Sequence, residues 1–225
     1  MKNYKWVIAL MIAGIVLSLF TITLNIVSNL LYTLEVLNHT TRIVSMCASS
    51  VLGMLCGTFC AIAFGLGALR LGSGRKERLP LLLMALGEVG CVVTDLGWLI
   101  YNIVFATSYH DYSEYMIGAN IALQALYYIM VAIFIVAAVW LAVVNKSTLM
   151  RIGATLYAIG KMSILLFSLV ALPMIINYID EIDSEGWFLR VIYPFAMGFW
   201  HFIVTLCLYV PIIAMVRKAG KSCTA

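Results

Sequence analysis

Long apolar runs separated by short polar stretches dominate the sequence. Six runs can be marked, at residues 6–32, 43–69, 79–106, 115–144, 152–176 and 188–216. Each is longer than the roughly 20 residues that a helix needs to cross a hydrocarbon core. The runs lack the alternation of barrel strands, and backbone groups in lipid must be hydrogen-bonded within their own segment. The pattern therefore predicts an all-α polytopic membrane protein, a bundle of six transmembrane helices.

The composition agrees with a single integral membrane domain over residues 1–225. Apolar residues make up 64% of the chain and charged residues 11%, whereas a soluble domain has roughly 45–50% and about 25%. The mean hydropathy is +1.05. We expect no separate soluble module, because little polar sequence remains between the runs.

The basic residues are concentrated in alternate polar stretches. They precede the first run, lie between runs two and three and between runs four and five, and follow run six. Cytosolic loops of membrane proteins carry such an excess of Lys and Arg, so both termini are expected in the cytosol, with the protein in the plasma (inner) membrane. The net charge of +4 is divided by the bilayer and does not indicate nucleic-acid binding.

The basic stretch between runs two and three is a candidate surface contact. Its side chains are expected to contact the anionic headgroups of the lipid bilayer, each contributing about 1 kcal/mol near the surface. Docking of a cytosolic partner is the alternative. The residues concerned are Arg70, Arg75, Lys76 and Arg78.

Ionisable side chains inside the runs give the strongest indication of function. Glu88 and Asp95 lie in the third run, Lys161 in the fifth and His201 in the sixth. A charge at the membrane centre costs about 2.5–3.5 kcal/mol on insertion scales. Such residues usually face the bundle interior or a wet cavity, and they are a functional-site hypothesis by default.

Depth along the helices suggests how these groups are arranged. At about 1.5 Å per residue, Glu88 lies level with Lys161, and Asp95 lies nearly level with His201. Asn102 continues the seven-residue spacing of the two carboxylates, and further polar positions on other helices complete a polar interior. The predicted binding site for a small solute or cation comprises Glu88, Asp95, Asn102, Lys161, His201, Asn25, Gln124 and Thr205.

Structural pairing is the alternative hypothesis. Two buried pairs can hold helices three, five and six in register, although interhelical polar contacts in membranes average only about 0.6 kcal/mol. The protein would then be a non-catalytic membrane subunit or sensor whose basic loop docks a partner. A water-accessible cavity that reaches the four ionisable residues favours transport, whereas a dry, tightly paired core favours the subunit.

Sequence motifs for catalysis are missing. The chain has no G-x-S-x-G, no H-E-x-x-H and no phosphate-binding loop, so we lean against an enzyme. A single His inside the runs cannot supply a two-His metal or haem site, and no cofactor or metal is expected. The cysteines within the runs are interpreted as small packing residues.

Small residues recur at every fourth position of the second run. This pattern lets another helix approach closely where lipid offers no hydrophobic drive for association. Helix two is therefore expected either at the centre of the bundle or in a contact with a second copy or a partner subunit. The positions are Ser49, Gly53, Gly57, Ala61 and Gly65.

Overall fold

Six long helices account for almost all of the structure. The computed structural model describes residues 2–34, 36–70, 76–107, 114–171 and 192–222. The helices are α1 (Lys2–Thr33), α2 (His39–Arg70), α3 (Arg78–Thr107), α4 (Glu114–Val144), α5 (Thr148–Leu166, continued by the π-helical turn Phe167–Ala171) and α6 (Tyr193–Ser222). All six are long and apolar enough to cross a membrane, so the predicted six-helix membrane fold is confirmed. Residues 172–176 and 188–191 of the predicted runs lie outside the described residues.

Helix α2 begins four residues before its apolar run because a side chain caps it. The backbone N–H of Thr41 donates to Asn38 Oδ1 at 2.8 Å, and the Thr41 hydroxyl donates to the same atom at 2.8 Å. This bond satisfies one of the N–H groups that a helix start leaves without a partner. The guanidinium of Arg42 lies 4.2 Å from the ring centre of Tyr32, which joins the end of α1 to the start of α2.

The helices are arranged as a ring. Each helix packs against its neighbours in sequence, α2 and α3 most extensively, and α1 also packs against α6. The axes of neighbouring packed helices lie about 8–10 Å apart. In a ring of six helices, the distance from the centre to each axis is about the same. Side chains must fill that central space or leave it open.

Among the described residues, apolar side chains fill one end of the ring. A continuous cluster of buried apolar side chains joins the beginnings of α1, α3 and α5 to the ends of α2, α4 and α6. We call this cluster the apolar plug. Its largest fully buried side chains are Val7, Met11, Phe64, Leu81, Met84, Leu141, Met150 and Leu208.

Glycines set the spacing of α5 and α6. A Cβ atom on Gly160 would collide with Val204, and one on Gly153 would collide with the backbone oxygen of Cys207 and the ring of Pro211. Pro211 has no N–H to donate to the Cys207 carbonyl four residues earlier. The backbone of Gly153 therefore lies against the Cys207 carbonyl, which receives no helical hydrogen bond from residue 211.

Small residues at every fourth position form a ridge along α2. The middle of this ridge packs against α3. A Cβ atom on Gly53 would approach the Asp95 carboxylate, and one on Gly57 would approach Val92 and the Glu88 backbone oxygen, whereas Gly65 has nothing within 4 Å. Helix two is one member of the ring, packed against α1 and α3, and does not occupy its centre. Because α3 covers Gly53 and Gly57, a contact with a second copy or a partner subunit would have to use other positions of the ridge.

Substitution of Gly153 tests the close approach of α5 and α6. We expect Gly153→Ala to lower the free energy of unfolding by about 1–3 kcal/mol, as overpacking typically does, because a backbone oxygen cannot move aside as a side chain can. Gly65→Ala is the matched control, and it should be neutral or stabilising by up to about 1 kcal/mol. Thermal unfolding followed by circular dichroism in one detergent measures both, and equal effects would contradict the packing described.

Candidate functional site

A cavity of about 470 Å³ lies inside the ring, next to the apolar plug. All six helices contribute side chains to its wall. Four of these side chains are ionisable, namely Glu88, Asp95, Lys161 and His201. The cavity thus brings together the four groups on which the sequence-based hypothesis rests.

Polar side chains line the wall at two depths along the helix axes, which we call the two levels of the cavity. Helix α3 contributes Glu88 and Asp95, whose seven-residue separation corresponds to about 10.5 Å along the axis. Helix α6 contributes His201, Thr205 and Tyr209 at intervals of four, which is also the spacing of one helix face. Glu88 belongs to the level beside the plug, and Asp95 belongs to the level farther from it.

At the level beside the plug, a tyrosine holds the carboxylate. The Tyr209 hydroxyl donates to Glu88 Oε1 at 2.8 Å. Lys161 interacts electrostatically with Glu88, but no ion pair within 4.0 Å involves either residue among those described. Hydroxyl donation to a carboxylate is a charge-assisted hydrogen bond, one of the stronger kinds.

Aromatic rings surround the ammonium group and form the floor of the cavity. Lys161 Nζ lies 5.6 Å from the ring centres of both Phe134 and Tyr157, within the range of a cation–π interaction. Those two rings meet edge to face at 6.4 Å, and Phe64 meets Tyr209 in the same way at 5.4 Å. The side chain of Lys161 is only 9% exposed, so this end of the cavity is closely surrounded.

At the level farther from the plug, the imidazole and the carboxylate are not paired with each other. The Tyr127 hydroxyl and His201 Nε2 are hydrogen-bonded at 3.2 Å. The Asp95 carboxylate lies against Gly53 of α2, and no described residue forms a hydrogen bond or an ion pair with it. Asp95 and His201 therefore line one cavity without joining α3 to α6.

Most of the predicted site residues lie on the cavity wall, and two do not. Asn25 and Thr205 line the cavity together with the four ionisable residues. Gln124 is exposed on the outside of α4, where its amide donates to Asn120 Oδ1 at 2.8 Å. Asn102 is 6% exposed but lies outside the lining. Because the Gln124 amide finds a hydrogen-bond partner on its own helix, it can lie on the outside of the bundle.

Several side chains on the cavity wall were not among the predicted site residues. Aromatic side chains that sequence reasoning missed form much of the wall, including Trp98, Tyr127, Phe134 and Tyr157. A spacing signal was present, since Tyr127 and Phe134 are seven residues apart and Tyr157 precedes Lys161 by four. Helices α1, α2 and α4 supply the rest of the wall.

Thiols contribute to the wall without forming a metal centre. Cys56 and Cys91 line the cavity, and Cys56 Sγ donates to the Gly14 carbonyl at 3.2 Å. Within the part of the chain that the structure describes, no three His, Cys, Asp or Glu side chains are placed to hold a metal ion.

The basic stretch is only partly described. Lys76 is exposed and Arg78 is half-buried at the start of α3. Arg75 and the side chain of Arg70 lie outside the described residues. Contact of this stretch with lipid headgroups stays a prediction.

The bond between Tyr209 and Glu88 can be tested by a double-mutant cycle. Tyr209→Phe keeps the ring against Phe64 and removes the hydroxyl, so we expect a loss of about 1–3 kcal/mol in the free energy of unfolding. In a Glu88→Gln background the same change should cost less, giving a coupling energy of about 0.5–3 kcal/mol. Reversible unfolding in mixed micelles measures the four proteins, and strictly additive effects would show that the hydroxyl and the carboxylate do not interact.

Comparison with known proteins leaves the cavity as the basis for assigning a function. No protein-family model, no curated protein and no solved structure matches the chain.

Proposed function

We propose that this integral membrane protein binds a small solute or cation in the central cavity and moves it across the membrane. The observation that carries the proposal is a cavity of about 470 Å³ that reaches Glu88, Asp95, Lys161 and His201 together. Pockets for small molecules typically measure about 300–1,000 Å³ and combine apolar walls with a few polar groups. The aromatic wall with its four ionisable groups has that composition.

The lack of ion pairs from Asp95 and Lys161 to other described residues supports a binding site over a purely structural pairing of helices. A charged group inside a membrane is costly unless another group compensates it. Asp95 and Lys161 form no ion pair within 4.0 Å with any described residue, and no hydrogen bond with one. A pair that served only to lock two helices would place its charges in contact, so water or a ligand is the better explanation for these groups.

The proposed orientation places the plug toward the cytosol. It follows from the excess of Lys and Arg at the ends of the helices beside the plug, and it puts both termini of one membrane domain on that side of the plasma membrane. The cavity then lies toward the opposite side. Passage of a solute requires the plug to open, and α6 can bend where Pro211 interrupts its hydrogen bonds.

The closed plug also favours a second candidate. A cavity that ends at packed apolar side chains is suited to a membrane sensor or subunit that binds a ligand without moving it. The exposed Lys76 and the rest of the basic stretch would then contact the partner. A flux measurement separates this candidate from transport.

Water access to the cavity is tested by two neighbouring substitutions on α1. Ser18 lines the cavity, whereas Leu19 is 48% exposed on the membrane-facing surface. In protein reconstituted in liposomes, we expect Ser18→Cys to react with methanethiosulfonate ethylammonium at least tenfold faster than Leu19→Cys. The reagent needs a hydrated thiolate, and both positions have nearly the same depth. Peptide mass spectrometry reads each site separately from the native cysteines, and equal slow labelling would indicate a dry interior.

Flux measurements test movement of the ligand. We expect Glu88→Gln, Asp95→Asn, Lys161→Met and His201→Gln each to lower the flux of protons or monovalent cations into proteoliposomes at least tenfold while the protein stays folded. Gln124→Ala is the control, because Gln124 lies outside the cavity. Fluorescent dyes for pH and membrane potential give the rates. If the single changes unfold the protein, the double changes restore it and no flux is seen, the transport proposal is wrong.

A further inference from the structure

The negative charge of the cavity is unevenly balanced between its two levels. At the level beside the plug, Glu88 receives the Tyr209 hydroxyl and the electrostatic attraction of Lys161. Asp95 lies about 10.5 Å farther along α3, and no ion pair within 4.0 Å joins it to a described residue. Among the described residues that line the cavity, Asp95 is thus an acidic group without a cationic neighbour.

The wall around Asp95 offers few groups that could hydrogen-bond to its carboxylate. On the α2 side lies the bare backbone of Gly53, where even a methyl group would come within 2.5 Å of Oδ2. The neighbouring Thr94 hydroxyl donates to the Gly90 carbonyl of its own helix at 2.9 Å. The carboxylate therefore remains available to a donor that enters the cavity.

The remaining wall suits an organic body better than a bare metal ion. Trp98 lies one turn beyond Asp95 on α3, and Tyr127 of the neighbouring helix α4 also lines the cavity. Aromatic faces attract ammonium groups, including substituted ones. A metal ion needs several protein oxygens, and no three acidic, His or Cys side chains in the described parts of the chain are placed to supply them.

We propose that the ligand of this cavity is a small organic cation, an amine whose ammonium group binds the Asp95 carboxylate while its apolar part lies against Trp98 and Tyr127. This assignment rests on the proposed function, because it names the class of ligand for the same cavity. An anion or a neutral solute would leave the Asp95 charge uncompensated. A zwitterion would need Lys161, whose ammonium lies at the other level among Phe134 and Tyr157.

A ligand series on the unaltered protein provides the first test. Isothermal titration of the protein in lipid nanodiscs compares n-butylammonium with butanol, butyrate, 4-aminobutyrate, sodium and potassium. We expect n-butylammonium to bind at least tenfold more tightly than each of the others. Preference for butyrate, 4-aminobutyrate, butanol or an alkali ion overturns the organic-cation assignment but leaves a solute-binding function in place. Failure of every compound to bind overturns the assignment, and the thiol-labelling and flux measurements then decide the proposed function separately.

Two variants locate the amine. Asp95→Asn keeps the shape of the side chain and should lower the affinity for n-butylammonium at least tenfold, and Gly53→Ala should weaken it severalfold by displacing the carboxylate. Gly65→Ala, on the same ridge but with open space around it, should bind as the unaltered protein does. Unchanged binding to folded Asp95→Asn overturns the assignment. If that variant does not fold, the contrast between Gly53→Ala and Gly65→Ala and the ligand series decide the outcome.

Discussion

Closure of the helix ring by α1 and α6 is the constraint on which the rest of the structure depends. Gly198 of α6 faces Ile22 of α1, and a Cβ atom at position 198 would come within 2.9 Å of the Ile22 side chain. The absence of a side chain there lets the first and last helices pack directly. Once the ring is closed, the helices surround the space at its centre. Polar side chains can then be placed at membrane depth without contact with hydrocarbon, which is the condition that makes them affordable.

The central space of the ring contains a packed apolar part and a cavity. Beside the ends of the helices that carry most of the basic residues, large buried apolar side chains occupy it. Farther along, small residues such as Gly14, Gly53 and Gly57 border it, and the cavity remains. The aromatic floor belongs to both parts, because Tyr209 packs on Phe64 below and bonds Glu88 above.

Tyrosine hydroxyl groups, rather than oppositely charged side chains, form the hydrogen bonds of Glu88 and His201. Tyr209 serves Glu88 and Tyr127 serves His201, so hydroxyl groups satisfy these side chains without neutralising them. A hydrogen bond of this kind costs less desolvation than burial of a second charge. It also leaves the net charge of the cavity unchanged, so a charged ligand can still be attracted. The amine proposed for Asp95 would pair with the cavity carboxylate to which no described tyrosine donates.

The sequence by itself determined the six spans and the depth of each ionisable residue. Run length fixes whether a helix can cross the membrane, and the constant rise per residue fixes how far Glu88 and Lys161 lie from its ends. These quantities belong to single helices, so they follow from local sequence. The tertiary structure alone decided which faces meet: it turned Gln124 outward, left Asn102 outside the cavity wall, and brought Tyr127 and Tyr209 to His201 and Glu88. The rotation of a helix about its axis is set by packing against its neighbours, which no single run of residues encodes.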